Sequence, residues 1–269
     1  MLDENKITIL NKRTQKMNQL RREHIGKYIQ EKGAVTVKEV SALFPEVSLM
    51  TIHRDLEKLE EEGAITRTRG GAVSAMPVGS SSTEAKLEAR MQTNMKAKRE
   101  IAQKALKLIE PGSAVFMDAG TSNMALAQAM PDMDVNIFTT GPNIALEVGR
   151  LAVPTIHLCG GTLNRYNQAV SGQTTLQMLE QINIATAFLG VSGYTQKGGF
   201  TCGKEEEMLV KRLLVEKAGR KVLLMDSSKC GKILPYTFGD MEDMDYIVSD
   251  GHLPEEFLKR AEEAGVTIL

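Results

Sequence analysis

The hydrophobic positions of the first 75 residues recur every three to four residues, as they do on one face of an α-helix. The pattern predicts three helices, over 21–30, 37–44 and 48–63. Gly33 and Pro45 stand where the first two should end, because glycine and proline commonly terminate helices. Two short helices joined by a tight turn, the second of them amphipathic, are typical of a helix-turn-helix.

Beyond residue 63 the pattern changes to the alternation of a β-hairpin. Residues 64–73 alternate around Gly70 and Gly71, with Arg67 and Arg69 near the tip, and this predicts the wing of a winged helix. These arginines would contact phosphates or the minor groove of DNA, although hairpin arginines are often only solvated and three-helix units are common.

A recognition helix in the major groove reaches base edges with the side chains of its N-terminal half. In the predicted third helix these side chains are Ser48, Leu49, Met50, Thr51, His53 and Arg54. Asp55 and the run Glu60–Glu62 are expected on a solvated outer face, where Asp55 would at most orient an arginine.

A polar segment separates this part from the rest of the chain. Residues 74–83 read SAMPVGSSST, with little to bury, which indicates a linker. We expect an extension over 1–20, a winged helix-turn-helix over 21–74, a linker over 75–83 and a second domain over 84–269.

The second domain alternates helical segments with short, mostly apolar, β-branched runs. One helical stretch is predicted over 84–109. The predicted strands are Ala114–Met117, Val135–Thr139, Thr155–Leu158, Ala185–Leu189, Lys221–Met225, Tyr246–Val248 and Val266–Leu269. Apolar strands alternating with helices are typical of a parallel sheet covered on both faces. The predicted fold class is therefore α/β and Rossmann-like, preceded by the winged helix.

Composition narrows the classes of protein that the chain can represent. With 42% hydrophobic and 25% charged residues it resembles folded globular proteins, and no apolar run approaches the roughly 20 residues of a membrane helix. The N-terminal residues are polar and lack the apolar core of a signal peptide, so we expect a cytoplasmic protein without membrane contact. Cys159, Cys202 and Cys230 are far apart, which predicts reduced, buried or half-buried thiols rather than a disulfide or zinc set.

The net charge of −1 argues against a protein that coats nucleic acid through bulk charge. Residues 1–75, however, hold 13 Lys and Arg against 11 Asp and Glu, whereas residues 76–269 hold 20 against 23. The asymmetry has the sign expected of a nucleic-acid module joined to a second function.

Small residues cluster at the ends of the predicted strands, where open parallel sheets bind ligands. The candidates of this kind are Asp118, Gly120, Thr121, Ser122, Thr139, Thr140, Gly160, Gly161 and Gly190. The segment 118–123 opens a helix whose N–H groups would hold a phosphate, and several such ends together predict a small anionic ligand, although tight turns need glycine anyway. The dinucleotide and triphosphate glycine motifs are missing, so we expect neither a cofactor nor a metal.

Charged residues stand near the same predicted strand ends. They are Lys204, Glu207, Lys211, Asp226 and Lys229. Glu207 and Lys211 are four positions apart, which an ion pair on a solvated helix face would equally explain. Lys229 follows a strand, where its ammonium would lie beside a bound phosphate unless it is only an exposed turn lysine. His157, within an apolar strand, is expected to be an interior residue and not a ligand.

The segments Val37–Val40, Val47–Leu56 and Arg67–Ala72 resemble the N-terminal signature of the DeoR family of bacterial transcriptional regulators. The resemblance spans residues 21–73 without a gap. The family usually has Arg at the position of His53 and His at the position of Arg69, both at predicted DNA contacts.

Residues 98–250 resemble the sensor domain of the same family. The matching segments include Lys98–Ala102, Asp118–Ser122, Gly199–Thr201 and Asp226–Lys229. The resemblance implies a sugar-phosphate-isomerase-like fold that binds a phosphorylated sugar or related metabolite, whose arrival changes the affinity for operator DNA.

Two functions remain at this point. The first is a metabolite-responsive regulator, a repressor of a carbohydrate-use operon that acts as a homo-oligomer, a dimer or tetramer, on paired half-sites. The second is a sugar-phosphate isomerase with an appended helical domain. Isomerisation needs a carboxylate base. The ribose-phosphate isomerases that the chain resembles carry an acidic loop where 190–194 holds no carboxylate, so we favour the regulator and assign no catalytic residue.

Overall fold

The computed structural model describes residues 17–29, 32, 34–61, 64–68, 70–74 and 87–269. Contacts between residues divide the chain into two compact units, Met1–Ser81 and Ser82–Leu269. The predicted linker over 75–83 and the predicted wing residue Arg69 lie outside the described residues.

The first unit is a winged helix, as predicted. Its elements are α1 (17–29), β1 (Ala34–Thr36), α2 (Val37–Leu43), α3 (Leu49–Glu61), β2 (Ile65–Thr68) and β3 (Gly71–Ser74). Strand β3 pairs antiparallel with β1 on one side and with β2 on the other. Residues 17–20, which precede the start predicted at 21, are also helical.

Local interactions fix the starts of the two central helices. The Thr36 hydroxyl accepts from the backbone N–H of Glu39 at 3.2 Å, and the Glu39 carboxylate accepts from the Thr36 N–H at 2.7 Å, which forms a capping box at α2. The Ser48 hydroxyl accepts from the Thr51 N–H at 3.3 Å, just before α3. At the sheet, a Cβ on Gly71 would lie 1.9 Å from the Val35 carbonyl oxygen, so only glycine lets β3 approach β1.

The second unit is an α/β domain around a seven-stranded sheet. Its helices are α4 (Leu87–Gln92), α5 (Met95–Ala105), α6 (Thr121–Ala129), α7 (Pro142–Val148), α8 (Gln173–Glu180), α9 (Glu205–Lys217) and α10 (Glu255–Glu263). Its strands are β4 (Ala114–Met117), β5 (Asn136–Thr139), β6 (Thr155–Leu158), β7 (Thr162–Asn164), β8 (Ala169–Ser171), β9 (Thr186–Gly190), β10 (Gly193–Thr195), β11 (Gly199–Cys202), β12 (Arg220–Met225), β13 (Tyr236–Gly239), β14 (Tyr246–Ser249) and β15 (Thr267–Ile268).

The large sheet has the order β15-β14-β12-β9-β4-β5-β6, and all its neighbouring strands are parallel. Each of the seven predicted strands corresponds to one of these, so the predicted α/β class is confirmed. Two small antiparallel sheets, β7–β8 and β10–β11–β13, were not predicted.

The prediction of one helical stretch over 84–109 is wrong in part. Asn94 has a left-handed backbone with φ of 53°, and it separates α4 from α5. A short 3₁₀-helix, Leu106–Leu108, follows α5. The break matters for the site described below because Asn94 and the start of α5 lie at the carboxyl edge of the sheet, next to Asp226.

Helices cover both faces of the sheet. Phe116 of β4 belongs to the apolar core formed with α8, α9 and α10, whereas its neighbours Val115 and Met117 belong to the core formed with α5, α6 and α7. The edge strand β6 is an exception, because Leu158 is exposed and His157 is only half-buried, its ring stacked on Phe138 at 4.3 Å between centroids. Within the described ranges, no helix combines the length and apolar character needed to cross a bilayer.

Candidate functional sites

The outward side of α3 carries the side chains that were predicted to contact bases. Ile52, Leu56 and Leu59 of this helix are buried in the core of the winged helix. Met50, His53 and Arg54 are exposed, as is Ser48, and Thr51 is half-buried with its hydroxyl 3.0 Å from that of Ser48. The fold therefore presents these residues together on one surface, although their contact with bases stays a prediction.

Arg67, predicted to meet phosphate, already has partners within the winged helix. Its guanidinium donates to the Glu57 carboxylate at 2.9 Å, and its backbone N–H donates to the Glu60 carboxylate at 2.8 Å. Both glutamates belong to α3, so the pair ties the wing strand β2 to this helix. The Arg67 side chain remains 32% exposed, which leaves part of its charge open to a polyanion.

Asp55 corrects the expectation of a solvated outer face. Its carboxylate is buried and accepts from the Arg21 guanidinium at 2.6 Å, and Arg21 also donates to the Asn18 side chain at 3.0 Å. The pair joins α1 to α3, so Asp55 does orient an arginine. Glu60 is exposed, as expected.

In the α/β domain, a lysine–carboxylate network lies where β4 and β9 end. Asp118 accepts from the backbone N–H groups of Ala119 at 2.9 Å and Gly190 at 3.0 Å. The Lys211 ammonium donates to Asp118 and to the Gly190 carbonyl at 2.8 Å, and it lies 3.5 Å from the Glu207 carboxylate. Four predicted ligand-binding residues therefore meet here.

The alternative of a solvated Glu207–Lys211 pair is wrong, because Lys211 is only 1% exposed. Burial by itself would lower the pKa of Lys211, but the carboxylates of Asp118 and Glu207 outweigh burial and raise its pKa above the ordinary value. The lysine stays charged and holds the two carboxylates together.

A small cavity lies beside this network. Its walls include the predicted residues Asp118, Thr140, Lys204 and Glu207. The other walls are Asn164, Asn167, Ala169, Val170, Ser171, Glu206 and Val210. The cavity measures about 10 Å³, room for roughly one water molecule. The hairpin β7–β8 and the start of α9 thus approach each other closely over Asp118.

Three of the predicted residues serve the fold in this structure. The Thr139 hydroxyl donates to the Met117 carbonyl at 2.7 Å and accepts from the Gly141 N–H at 3.0 Å. Gly160 accepts through its carbonyl from the Thr175 hydroxyl at 2.6 Å. Gly161 has φ of 142°, and a Cβ there would lie 2.4 Å from the Thr175 hydroxyl. Steric reasons alone explain that glycine.

The start of α6 is open. Gly120 is its N-cap residue, with φ of −124°, and a Cβ built on it would meet no atom within 4 Å. Thr121 and Ser122 follow, and the first N–H groups of a helix have no partner inside the helix. The Asn123 side chain is fully buried, and neither its nitrogen nor its oxygen has a hydrogen-bond partner among the described residues.

A cationic cluster, formed by Lys98, Lys229 and Lys232, lies at the carboxyl end of β12. Lys98 is 6% exposed, and its ammonium donates to the Arg90 carbonyl and, at 2.6 Å, to the Thr93 carbonyl. Burial and then the neighbouring Lys229 charge lower the pKa of Lys98 to about 8. Burial and Lys229 also lower the pKa of Lys232. Several positive charges in a partly desolvated environment favour a bound anion.

Asp226 only partly offsets the charges of the cationic cluster. Its carboxylate accepts from the Asn94 amide at 3.0 Å and from the Ser228 N–H at 3.1 Å. The predicted residues Asp226 and Lys229 therefore lie in this cluster and not among the walls of the small cavity. Both sites are at the same edge of the sheet, where parallel strands end.

Lys98 and Lys232 were missed as site residues. For Lys98 a signal exists: with Ile101, Ala102 and Ala105 it shares the buried face of α5, where a lysine stands out. Asn164 and Asn167 were also missed, because they belong to a short polar hairpin without a clear strand pattern.

The three cysteines behave as predicted, since Cys159 and Cys202 are buried and Cys230 is half-buried, all as free thiols. Burial raises the pKa of Cys159 and of Cys230 to about 11, so neither is an activated nucleophile. In the part of the chain that the structure describes, no three His, Cys, Asp or Glu side chains are grouped so that they could hold a metal ion.

Comparison with known proteins agrees with the two-part architecture. Residues 21–78 match the DeoR-like helix-turn-helix domain, and residues 93–251 match the DeoR C terminal sensor domain. The chain belongs to the DeoR family of transcriptional regulators. The chain joins a DNA-binding domain to a sensor domain, and like the relatives named below it is a transcriptional regulator and not an enzyme.

The DeoR-family relatives are similar over most of their length. The transcriptional regulator GlpR of Haloferax volcanii is 36% identical, covering 82% of this chain and 86% of the relative. The L-fucose operon activator of Haemophilus influenzae is 32% identical, covering 90% and 96%. The transcriptional repressor GlcR of Bacillus subtilis is 29% identical, covering 90% and 92%.

Part of the chain also superposes on a solved enzyme structure, ribose 5-phosphate isomerase A of Methanocaldococcus jannaschii. The sequence identity is 16% and the TM-score is 0.38, with 51% of this chain and 55% of the isomerase covered.

Proposed function

We propose that this DeoR-family protein is a cytoplasmic repressor of a carbohydrate-use operon, and that a phosphorylated sugar bound in its sensor domain controls its affinity for operator DNA. The names of the relatives support the carbohydrate link, since one of them is a fucose operon activator. Repression is the proposed direction because GlcR and the aga operon protein of Escherichia coli O157:H7 are named repressors, although the fucose operon protein is named an activator.

The DNA contacts of this proposal come from α3 and the wing. Ser48, Met50, Thr51, His53 and Arg54 contact base edges or nearby phosphates, and Arg67 contacts the backbone. Their shared exposed surface supports this assignment. Arg69 is assigned to the same role from the sequence alone. Two such heads in a homo-oligomer, a dimer or tetramer, would bind paired half-sites.

The effector site of this proposal spans the carboxyl edge of the sheet. The open start of α6, at Gly120, Thr121 and Ser122, together with Lys98 and Lys229, receives the phosphate. The sugar hydroxyls face the lysine–carboxylate network and Lys204. The observation that carries the assignment is the cationic cluster, in which the largely buried Lys98 lies near Lys229 and the charges are only partly compensated by Asp226.

A contact of the hairpin β7–β8 supports a route from effector to DNA. The Tyr166 carbonyl accepts from the backbone N–H of Leu87 at 3.4 Å, and Leu87 is the first described residue after the linker. Asn164 and Asn167, on either side of Tyr166, are walls of the small cavity. In this proposal, entry of a sugar beside Asp118 moves this hairpin or α9 and thereby shifts Leu87.

The proposal is tested by titrating phosphorylated sugars against the full-length protein on fluorescently labelled operator DNA and following the anisotropy. We expect one phosphorylated sugar to change the affinity by about 5- to 150-fold, the usual range of allosteric coupling, and its unphosphorylated form to have no effect. If no phosphorylated sugar changed the affinity for operator DNA, the proposed effector sensing would be overturned. The proposed DNA binding would not be affected by that result.

A further inference from the structure

The recognition helix α3 exposes two apolar side chains at its start. Leu49 is 56% exposed and Met50 is 67% exposed, whereas Ile52 and Leu56 of the same helix are fully buried. Apolar surface in water gains free energy when something covers it. Two adjacent exposed apolar residues therefore mark a place where a partner with apolar groups gains affinity.

The position of Met50 identifies that partner. Met50 and Arg54 are four residues apart, and with His53 they lie on the side of α3 opposite to Ile52. The apolar pair is thus next to a cation and an imidazole on the surface assigned to DNA. A polyanion with apolar groups in its groove matches this combination of charge and apolar surface.

We propose that Leu49 and Met50 read thymine, by packing against thymine 5-methyl groups in the major groove of the operator. Thymine is the one standard base that presents a methyl group there. The inference rests on the proposed DNA contacts of α3 and adds the base that this part of the helix selects. Leu49 and Met50 act as specificity residues, because an apolar contact distinguishes thymine from cytosine without any hydrogen bond.

The experiment removes single methyl groups from the DNA and leaves the base pairs intact. Duplexes that bind the full-length protein are first selected from a random pool. Each thymine of a selected duplex is then replaced singly by deoxyuridine, and Kd is measured by anisotropy at fixed salt. At one or two thymines per half-site we expect a loss of about fourfold, the effect of burying one methyl group.

Variants connect the methyl groups to the helix. In the Leu49→Ala and Met50→Ala variants, replacing the affected thymines by deoxyuridine should weaken binding by less than about 1.5-fold. The side chain against which the methyl group packs is then already missing. Met50→Leu keeps an apolar contact and should retain most of the effect. Leu43→Ala, which truncates a 45% exposed leucine of α2, is the matched control and should retain the full loss of affinity on deoxyuridine replacement.

Two results would overturn the inference. One is binding that no deoxyuridine replacement weakens, which would mean that the apolar pair is covered by something other than DNA. The other is a methyl effect of unchanged size in both alanine variants. If no duplex is selected from the random pool, the proposed DNA contacts of α3 are overturned. This outcome differs from overturning the thymine contact, which requires selected duplexes that bind without a methyl effect.

Discussion

The ammonium of Lys211 donates to the carboxylate of Asp118 inside the sensor domain, although the two residues are 93 positions apart in the sequence. Helix α9 supplies the lysine, and the loop after β4 supplies the carboxylate. Removing one partner of such a pair leaves the other charge buried and unpaired, which typically costs about 3–5 kcal/mol.

Lys211→Met should therefore lower the free energy of unfolding of the sensor domain by about 3 kcal/mol. Urea unfolding followed by circular dichroism measures the change. Lys259→Met is the matched control, because Lys259 is 77% exposed and lies 4.0 Å from Glu263 on the same helix. An exposed pair of this kind contributes at most about 0.5 kcal/mol. Equal losses in the two variants would contradict a special role of Lys211.

Gly120→Ala should separate folding from effector binding. The backbone at Gly120 suits any residue and the added methyl group meets no atom within 4 Å, so the unfolding midpoint should stay unchanged. The methyl group would, however, occupy the place assigned to the phosphate, and affinity for the phosphorylated sugar should fall at least tenfold. Calorimetric titration of the variant measures this affinity, and Gln128→Ala, at an exposed position in the last turn of α6, is the matched control. Undiminished affinity would remove α6 from the site.

Effector affinity should depend on pH through Lys98. In the free protein the pKa of Lys98 is lowered to about 8, and the phosphate prefers the protonated ammonium. Between about pH 7 and pH 8 the lysine is mostly charged and the phosphate, with its second pKa near 6, is mostly a dianion, so affinity changes little. Above pH 8 binding must draw up a proton, so affinity should fall by up to tenfold per pH unit.

The pH dependence is measured by calorimetric titration at pH 7, 8 and 9. Lys98→Met should bind weakly at every pH and lose most of the pH dependence, with any remainder coming from Lys232, while Lys104→Met, on the same helix, should keep the full dependence. A wild-type affinity that is flat between pH 8 and 9 would show that Lys98 does not face the anion.

Glu57→Gln should strengthen operator binding by a few-fold. The substitution removes a negative charge from α3 and releases Arg67, whose guanidinium is 2.9 Å from the Glu57 carboxylate. A released arginine that contacts a phosphate also makes the slope of log affinity against log salt concentration steeper by about one. Kd measured between 50 and 200 mM salt, roughly the usual range for such slopes, tests both effects. Glu263→Gln in α10 should change neither, and an unaltered Kd in Glu57→Gln would mean that Arg67 acts only within the fold.

The sequence pattern was most informative where one local rule decides the structure. The strand Ala114–Met117 is apolar throughout, and the structure has a strand with the same bounds. Threonine is a preferred N-cap residue, and at Thr36 a capping box forms. Short antiparallel strands such as Gly193–Thr195 were not predicted, because three residues are too few to show the two-residue period of a strand.

Buried lysines show why the rest could not be predicted. Lys211 sits four positions after Glu207, as solvated helix pairs do, and only the distant Asp118 makes it an interior residue. Asp55 is similar, since its burial depends on Arg21 from another helix. The pattern of residue types along the chain does not show which distant residue will become the partner of a given side chain in the folded protein.

If the effector binds beside Asp118 as proposed, the closeness of the hairpin β7–β8 to α9 affects how much metabolite the regulator needs. A protein whose free form is mostly closed binds with its intrinsic affinity reduced by the fraction that is open. Substitutions that loosen the hairpin over the cavity would therefore lower the metabolite concentration at which the operon responds. A substitution at Tyr166, which is not among the proposed ligand contacts, would then change the response threshold without changing any of those contacts.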